Sequence, residues 1–387
     1  MTRKYEPSHR GSTPSLAEEM HRRALAVEAN GQKVIYLNVG QPSTPAPVGA
    51  LEAVQSASHK TIMGYTGAAG ILPLRQRLAR HYGETYGVDL DPDRVLITFG
   101  ASGAVILALI GCFDSGARVG LPQPFYYAYR HAMSTLGVEC VPFYPSMENH
   151  FQPTVADLEA IEGGIDGLIF ASPGNPSGSM MPPDQFAEIA DYCETRRIRL
   201  ISDEIYHGIV YDDEVPQTTA LAYSQHAVVV NSFSKYYSMP GWRLGWMVLP
   251  ENLVEPIANL AHNLYISPPA PSQYAALAAL DCQNELDEHV VRYRRNRDIM
   301  LREMPKAGFN HYTAPHGAFY LFCHVKHLHE DSTQFCIEML EGCGVLAAPG
   351  SDFSPRDGHH FMRFSYAGSA EDIEEAMTRL KKWRGVA

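Results

Sequence analysis

Short apolar runs alternate with amphipathic stretches through the middle of this 387-residue chain. The apolar runs are rich in β-branched residues and bounded by turn formers, which predicts strands that are buried on both faces. Seven strands are predicted, at residues 95–99, 117–121, 138–143, 167–171, 199–202, 227–231 and 244–249. Because such runs separated by helices are typical of parallel sheets, we expect an α/β fold with one mostly parallel seven-stranded sheet covered by helices.

The flanking segments carry a different pattern. At the N-terminus, residues 1–15 are predicted to form a surface arm, followed by a helix that ends near Asn30-Gly31. Toward the C-terminus, a single long helix is predicted at 270–304, followed by a mixture of strands and helices. We therefore expect a smaller α+β domain built from both terminal segments. The predicted division is an arm and part of the small domain at 1–47, the large domain at 48–285 and the rest of the small domain at 286–387.

Composition and charge indicate which kinds of partner and which cellular location to expect. The net charge of −12 is not offset by any basic stretch, which argues against a nucleic acid or an anionic membrane as partner. The seven cysteines are scattered without a CxxC pair, which is typical of reduced thiols. The first residues lack the apolar core of a signal peptide, and no run approaches the ~20 apolar residues of a membrane helix. We expect a cytoplasmic protein without a membrane partner.

Polar residues follow three predicted strands at the points where these strands end. Asn175 lies in a loop of prolines and glycines, Asp203 is followed one helical turn later by Tyr206, and Lys235 comes after two serines and before Arg243. Ligands of parallel sheets bind outside the carboxyl ends of the strands. A buried carboxylate such as that of Asp203 needs a positively charged partner. An isolated amine such as that of Lys235 can form a Schiff base with an aldehyde cofactor, and nearby hydroxyl and guanidinium groups can hold the phosphate of that cofactor.

Each of these signals has a plainer interpretation when it is taken alone. The Asn175 loop also fits an ordinary turn, Asp203 also fits a helix N-cap followed by a core tyrosine, and most lysines are surface charges. The small residues from Thr98 to Ala104 fit an anion site at a helix N-terminus, but they do not form a dinucleotide-binding fingerprint. The histidines His324, His327 and His329 lack coherent metal-ligand spacing, so no metal site is expected.

Six motifs in a fixed order carry a resemblance to a known family. They are Gly100-Ala101-Ser102-Gly103-Ala104, Pro124-Phe125-Tyr126, Asn175-Pro176-Ser177-Gly178, Asp203-Glu204-Ile205-Tyr206, Ser232-Phe233-Ser234-Lys235 with Arg243, and Arg363-Phe364-Ser365. The chain resembles the fold-type I pyridoxal-5′-phosphate enzymes of the class I/II aminotransferase family over nearly its whole length.

The resemblance implies pyridoxal 5′-phosphate as cofactor and assigns its chemistry. Lys235 would carry the cofactor as a Schiff base and then move the substrate Cα proton, and Asp203 would pair with the ring nitrogen. Tyr206 and Asn175 would hydrogen-bond the phenolic oxygen of the cofactor. These roles agree with general chemistry, since an anion at the ring nitrogen keeps it protonated and lets the ring accept electrons from Cα.

The remaining site residues are implied by the same resemblance. Tyr65 would reach the phosphate of a neighbouring subunit, which implies a homodimer. The α-carboxylate of the substrate would be bound by Gly40, Asn175 and Arg363. The other cofactor contacts would be the stacking ring of Tyr126 and the phosphate-binding groups of Ser102, Gly103, Ala104, Ser232, Ser234 and Arg243.

The implied activity is transfer of an amino group from an amino acid to a 2-oxo acid. A lyase reaction on the same fold is the main alternative, because Lys235 and Asp203 would serve it equally. A nicotinamide dehydrogenase, a transcriptional regulator and an inactive binding protein are less favoured. The amino donor stays open: Ser102 stands where some aspartate-using relatives carry a lysine, and Tyr126, Tyr127 and Tyr129 are compatible with a neutral or aromatic donor.

Overall fold

The computed structural model describes residues 16–211 and 214–386. The predicted arm at residues 1–15 lies outside this range. The helices are α1 (Leu16–Ala29), α2 (Val48–Lys60), α3 (Leu72–Tyr86), α4 (Gly100–Cys112), α5 (Tyr127–Leu136), α6 (Val155–Glu159), α7 (Pro183–Arg196), α8 (Glu251–Tyr265), α9 (Ala270–Ala279), α10 (Gln283–Glu303), α11 (Ser332–Cys343) and α12 (Ala370–Trp383). The strands are β1 (Ile35–Tyr36), β2 (Val95–Thr98), β3 (Arg118–Pro122), β4 (Glu139–Phe143), β5 (Gly167–Ala171), β6 (Arg199–Asp203), β7 (Val228–Ser232), β8 (Gly245–Val248), β9 (Tyr320–His324), β10 (Val345–Leu346), β11 (Ala348–Pro349) and β12 (Phe361–Ser365).

All seven predicted central strands form one sheet, in the order β2-β8-β7-β6-β5-β3-β4. The pairs from β7 to β4 are parallel, whereas β8 runs antiparallel to both β7 and β2. Strands β5 and β7 are buried along their whole length, as the continuous apolar runs require, and helices cover both faces of the sheet. The predicted α/β fold with a mostly parallel seven-stranded sheet is confirmed.

The terminal segments pack together into the smaller α+β part. Strand β1 pairs in parallel with β10, and β11, β12 and β9 form an antiparallel sheet. One hydrophobic core joins residues of α1, such as Met20, to residues of α12, such as Leu380. The domain boundaries after residues 47 and 285 stay a prediction.

The prediction of one long helix at 270–304 is wrong. The structure has two helices, α9 and α10, separated by Leu280, Asp281 and Cys282. Helix α9 packs against α2 beside the large sheet, whereas α10 packs against α12 in the smaller part. The chain therefore changes direction between two packing surfaces, and no glycine or proline marks that change in the sequence.

None of the helices in the part of the chain that the structure describes is long and apolar enough to cross a membrane.

Candidate active site

A cavity of about 520 Å³ lies where the carboxyl ends of β5, β6 and β7 face the smaller part of the protein. The large sheet contributes Asn175, Asp203 and Lys235 to its wall, and the C-terminal strands contribute Tyr320 and Arg363. These residues lie far apart in the sequence. The parallel sheet brings the first three to one edge, and the packing of the smaller part against that edge adds the other two.

Lys235 stands at the wall of this cavity, just after the end of β7. Its Nζ donates a hydrogen bond to the Gly40 carbonyl oxygen at 2.6 Å. Burial lowers the pKa of the amine to about 8; the charges of Arg363 and Arg243 act in the same direction, and Asp203 opposes them. About one-tenth of such amines are neutral at pH 7, so Lys235 is a competent nucleophile near neutral pH.

Asp203 is buried at the end of β6, with 6% of its surface exposed. Its Oδ2 accepts a hydrogen bond from the Tyr129 hydroxyl at 2.6 Å, and its Oδ1 accepts one from the Ile205 backbone N–H at 3.1 Å. Burial raises the pKa of the carboxyl group to about 6, although both donors and Lys235 lower it. Both donors are neutral, so a positively charged ligand group in the cavity would stabilise this carboxylate.

The Arg363 guanidinium lies between two aromatic rings, with its Cζ 4.3 Å from the centroid of the Tyr320 ring and 4.6 Å from that of Phe353. Its Nη1 donates to Asn175 Oδ1 at 2.7 Å, and its Nη2 donates to the Asn38 carbonyl oxygen. The buried Nε has no hydrogen-bond partner within the described residues. A planar cation held in this way, with a donor still unused, suits a carboxylate ligand.

Two tyrosine hydroxyls complete this wall of the cavity. Tyr206 Oη lies 2.7 Å from Tyr320 Oη, and both rings are buried. Gly40 makes this arrangement possible, because a Cβ atom at Gly40 would lie 1.7 Å from Tyr320 Oη. The Gly40 backbone is thus brought against both Lys235 and Tyr320.

Arg243 lies against the N-terminus of α4. A Cβ atom at Gly100, whose φ is +65°, would lie 2.8 Å from Arg243 Nη2, so only glycine lets the guanidinium approach this closely. Ser102 in the first turn of α4 and Ser234 also line the cavity. A guanidinium, a serine hydroxyl and the free N–H groups of a helix N-terminus together form a set of donors that fits a phosphate.

Some predicted cofactor contacts lie away from the cavity wall. Ser232 is 1% exposed, and its Oγ lies 2.8 Å from Ser234 Oγ and 3.1 Å from the Leu244 carbonyl oxygen. Gly103 and Ala104 lie near the N-terminus of α4 and are not among the residues that line the cavity, whereas Tyr126 is. Tyr65 is 83% exposed and lies outside the cavity of its own chain. The roles of these residues stay predictions.

The histidines of the C-terminal segment lie outside this cavity. His327 Nε2 lies 2.9 Å from the Gly308 carbonyl oxygen, and His329 packs in a stacked arrangement on Phe335. Within residues 16–211 and 214–386 no group of three or more histidine, cysteine, aspartate or glutamate side chains is arranged to hold a metal ion.

Comparison with known proteins agrees with this geometry. The family profile described as "Aminotransferase class I and II" matches residues 32–380. This chain belongs to that family. It is 41% identical to the valine–pyruvate aminotransferase of Mycobacterium tuberculosis over 90% of this chain and 91% of the relative. It is 31% identical to an aspartate aminotransferase of Thermotoga maritima over 94% of each chain. The crystal structure of an aminotransferase from Mycobacterium tuberculosis superposes with a TM-score of 0.96 at 38% identity, covering 99% of this chain and 100% of that one.

The structure of this aminotransferase also adds residues that the sequence did not single out for the site. The sequence indicates Tyr129 only as an aromatic ring compatible with certain substrates, whereas in the structure its hydroxyl donates a hydrogen bond to Asp203. Its position three residues after Tyr126, one helical turn away, could have indicated a shared face. Tyr320 is the first residue of the buried strand β9, and no local signal in the sequence indicates that it contacts Tyr206 and Arg363.

Proposed function

We propose that this chain is a pyridoxal-5′-phosphate-dependent aminotransferase that moves an amino group from an amino acid to a 2-oxo acid. The observation that carries the proposal is the convergence of a lysine of lowered pKa, a buried carboxylate and a partly unsatisfied arginine in one cavity: Lys235, Asp203 and Arg363. Membership of the aminotransferase family supports the reaction type.

The residues of the cavity fit the cofactor. Lys235 would hold it covalently, Asp203 would face its ring nitrogen, and Arg243 with the N-terminus of α4 would hold its phosphate. The Tyr206 hydroxyl and the Asn175 amide would reach the phenolic oxygen. When bound, pyridoxal phosphate supplies a ring that accepts the electrons released at the substrate Cα.

The chain's own side chains account for substrate orientation and proton movement. Arg363 would bind the α-carboxylate and fix the direction of the Cα–H bond. Lys235, once its amine is free, would take the proton from the substrate Cα and deliver it to C4′ of the cofactor, which lies on the other side of the substrate nitrogen. A pKa of about 8 suits both steps, because a group that titrates near the working pH can accept and then release a proton.

We propose a donor with an uncharged side chain, such as valine, and pyruvate as acceptor. The only lysine or arginine side chains that line the cavity in the described residues are Lys235, Arg243 and Arg363, and each already has a proposed partner. The Asp352 carboxylate also lines the cavity and would repel a side-chain carboxylate. The name of the 41%-identical valine–pyruvate relative supports this substrate pair over the aspartate of the more distant relatives.

We further propose that the protein works as a homodimer in which Tyr65 reaches the partner's site. Ile62 and Tyr65 are 95% and 83% exposed, and Leu51 and Leu264 also expose about half of their surface. A second chain that covered these side chains would remove their apolar surface from water, which favours association.

The cofactor proposal is tested by adding pyridoxal phosphate to the purified protein and recording the visible spectrum. We expect an absorption band of the enzyme-bound cofactor that survives dialysis and disappears in Lys235→Ala. The control variant is Lys306→Ala, which removes a surface lysine paired with Glu303 and should keep the band. A wild-type protein that stays colourless would refute the proposal.

The reaction type is tested by supplying the coloured enzyme with amino donors and 2-oxo acids in pairs. We expect valine and pyruvate to give alanine and the corresponding 2-oxo acid, and aspartate with 2-oxoglutarate to react much more slowly. Release of ammonia from an amino acid without any acceptor would instead favour the lyase alternative.

A further inference from the structure

Tyr129 makes the shortest hydrogen bond to Asp203 and is itself tightly held. Its ring is 5% exposed and packs edge-to-face on Phe125, with centroids 5.0 Å apart and an interplanar angle of 88°. The Tyr126 ring lies at 6.2 Å and 74° on the same helix. This packing fixes the direction of the Tyr129 hydroxyl, which lies 2.6 Å from Asp203 Oδ2.

The hydroxyl can act only as a donor to this carboxylate. Burial, with a further contribution from Asp203, raises the pKa of Tyr129 well above its ordinary value, so the phenol keeps its proton at any working pH. A hydrogen bond to an ionised acceptor is stronger than one between neutral groups, and it favours the ionised form of that acceptor. The pKa of Asp203 is raised by burial, and Tyr129 is the first of the groups that lower it again.

The bond also leaves the carboxylate in a defined orientation. With Oδ1 held by the Ile205 N–H and Oδ2 by Tyr129, neither oxygen can rotate away from its donor without losing a hydrogen bond. The remaining lone pairs stay available to a group in the cavity that Asp203 lines.

We propose that Tyr129 is a positioning residue, which holds Asp203 ionised and oriented toward the ring nitrogen of the cofactor. This inference rests on the proposed function, because it concerns the same site. It assigns the Tyr129 hydroxyl to Asp203 and removes it from the groups available to recognise an aromatic substrate.

The test compares wild-type holoenzyme with Tyr129→Phe, which keeps the ring and removes only the hydroxyl. The dissociation constant of pyridoxal phosphate is measured for both proteins, and again with the analogue in which CH replaces the ring nitrogen. We expect Tyr129→Phe to weaken binding of the natural cofactor about tenfold or more, the usual effect of losing a hydrogen bond to a charged group. Both proteins should bind the analogue equally well.

Two further measurements separate positioning from packing. The pH at which the visible absorption of the bound cofactor changes should shift by about one unit in Tyr129→Phe, since charge at the ring nitrogen is transmitted through the conjugated ring. In an Asp203→Asn background, adding Tyr129→Phe should leave cofactor affinity unchanged. The control is Tyr265→Phe, whose buried hydroxyl has no described hydrogen-bond partner and whose removal should change neither quantity.

Equal loss of affinity for the cofactor and its analogue would overturn the inference, because the hydroxyl would then matter only for packing. Wild-type affinity and an unchanged spectrum in Tyr129→Phe would overturn it as well, while leaving the proposed function intact. A wild-type protein that binds no pyridoxal phosphate would overturn the proposed function and this inference together.

Discussion

The two faces of the sheet at the end of β6 present adjacent carboxylates in opposite situations. On the cavity side, Asp203 receives two hydrogen bonds from neutral donors. On the other side, Glu204 is fully buried and accepts from the Thr219 hydroxyl at 2.9 Å, from the Ala220 N–H at 2.9 Å and from the Ser202 hydroxyl at 3.2 Å. Burial raises the pKa of Glu204 to about 8 and that of Asp203 to about 6.

The surroundings of the two carboxylates indicate different uses. Glu204 belongs to a closed network: His207 Nδ1 lies 3.4 Å from Glu204 Oε2 and 2.7 Å from Tyr86 Oη, and His207 Nε2 lies 3.1 Å from the Ser172 carbonyl oxygen. This network ties the end of β6 to the loop that leads to Asn175. Asp203, in contrast, borders open space. A carboxylate whose acceptors are filled from within the protein supports the fold, and one that borders a cavity is available to a ligand.

Among the substitutions that test this difference between Asp203 and Glu204, we expect Asp203→Asn to have the largest effect. The amide cannot carry the negative charge that would face the ring nitrogen, so we expect the rate of the half-reaction with valine to fall by at least about a hundredfold. Stopped-flow absorbance of the bound cofactor measures this rate. A loss smaller than about tenfold would show that the charge on Asp203 is not needed.

The matched change on the other face is Glu204→Ala. It leaves the Ala220 N–H and the Thr219 hydroxyl without their buried acceptor, so we expect the free energy of unfolding to fall by about 3 kcal/mol. The half-reaction rate of the folded holoenzyme should stay within about threefold of wild type. Urea unfolding and stopped-flow absorbance measure the two quantities. A rate loss equal to that of Asp203→Asn would remove the distinction between the faces.

The pH dependence of stability should also come from the Glu204 side. Its pKa is about 8 in the folded protein against 4.5 as the ordinary value, so the folded state binds the proton more tightly and stability falls as pH rises between them. His207, with a pKa lowered from 6.5 to about 3 by burial, has the opposite effect only below pH 6.5. From pH 6.5 to 8 we expect wild type to lose about 1.5 kcal/mol more than Glu204→Gln. Urea unfolding at fixed protein concentration measures how the free energy of unfolding changes with pH in each protein. Equal pH dependence in wild type and Glu204→Gln would contradict the assignment of this effect to Glu204.

The smallest expected effect on stability comes from Tyr86, which contacts the Glu204 network through His207. Tyr86→Phe removes the hydroxyl that lies 2.7 Å from His207 Nδ1 and accepts from Gln217 Nε2 at 2.9 Å. We expect the free energy of unfolding to fall by about 1 kcal/mol, with the half-reaction rate unchanged. Tyr265→Phe, measured alongside, should not lower the unfolding midpoint, because its buried hydroxyl has no described partner to lose. A larger drop than for Glu204→Ala would mean that the tyrosine, not the carboxylate, is the centre of the network.

The sequence was sufficient for the parts of the molecule that depend on local pattern. Continuous apolar runs predicted the strands, and the polar residues that follow them predicted the edge at which Asn175, Asp203 and Lys235 meet. The direction of β8 was not predictable in this way, because an apolar run has the same pattern in a parallel and an antiparallel strand.

The contacts between distant segments could not be derived from local pattern either. The hydrogen bond between Tyr129 and Asp203 spans 74 residues, and that between Tyr206 and Tyr320 spans 114. The break between α9 and α10 arises from packing on two different surfaces rather than from a helix-breaking residue. These features depend on how the two parts of the protein meet, and a single sequence does not encode that in its spacing.

The two hydrogen bonds that Arg363 makes to distant segments bear on the order in which a growing chain acquires its binding groups. The Arg363 guanidinium joins the Asn38 carbonyl and the Asn175 amide, which lie 325 and 188 residues away. The proposed cofactor contacts, in contrast, have all been synthesised once Arg243 has left the ribosome. A nascent chain that stops before β12 therefore contains every group that would hold the cofactor and lacks the arginine that would bind the substrate carboxylate. We therefore expect amino-acid binding to require a longer part of the chain than cofactor binding does.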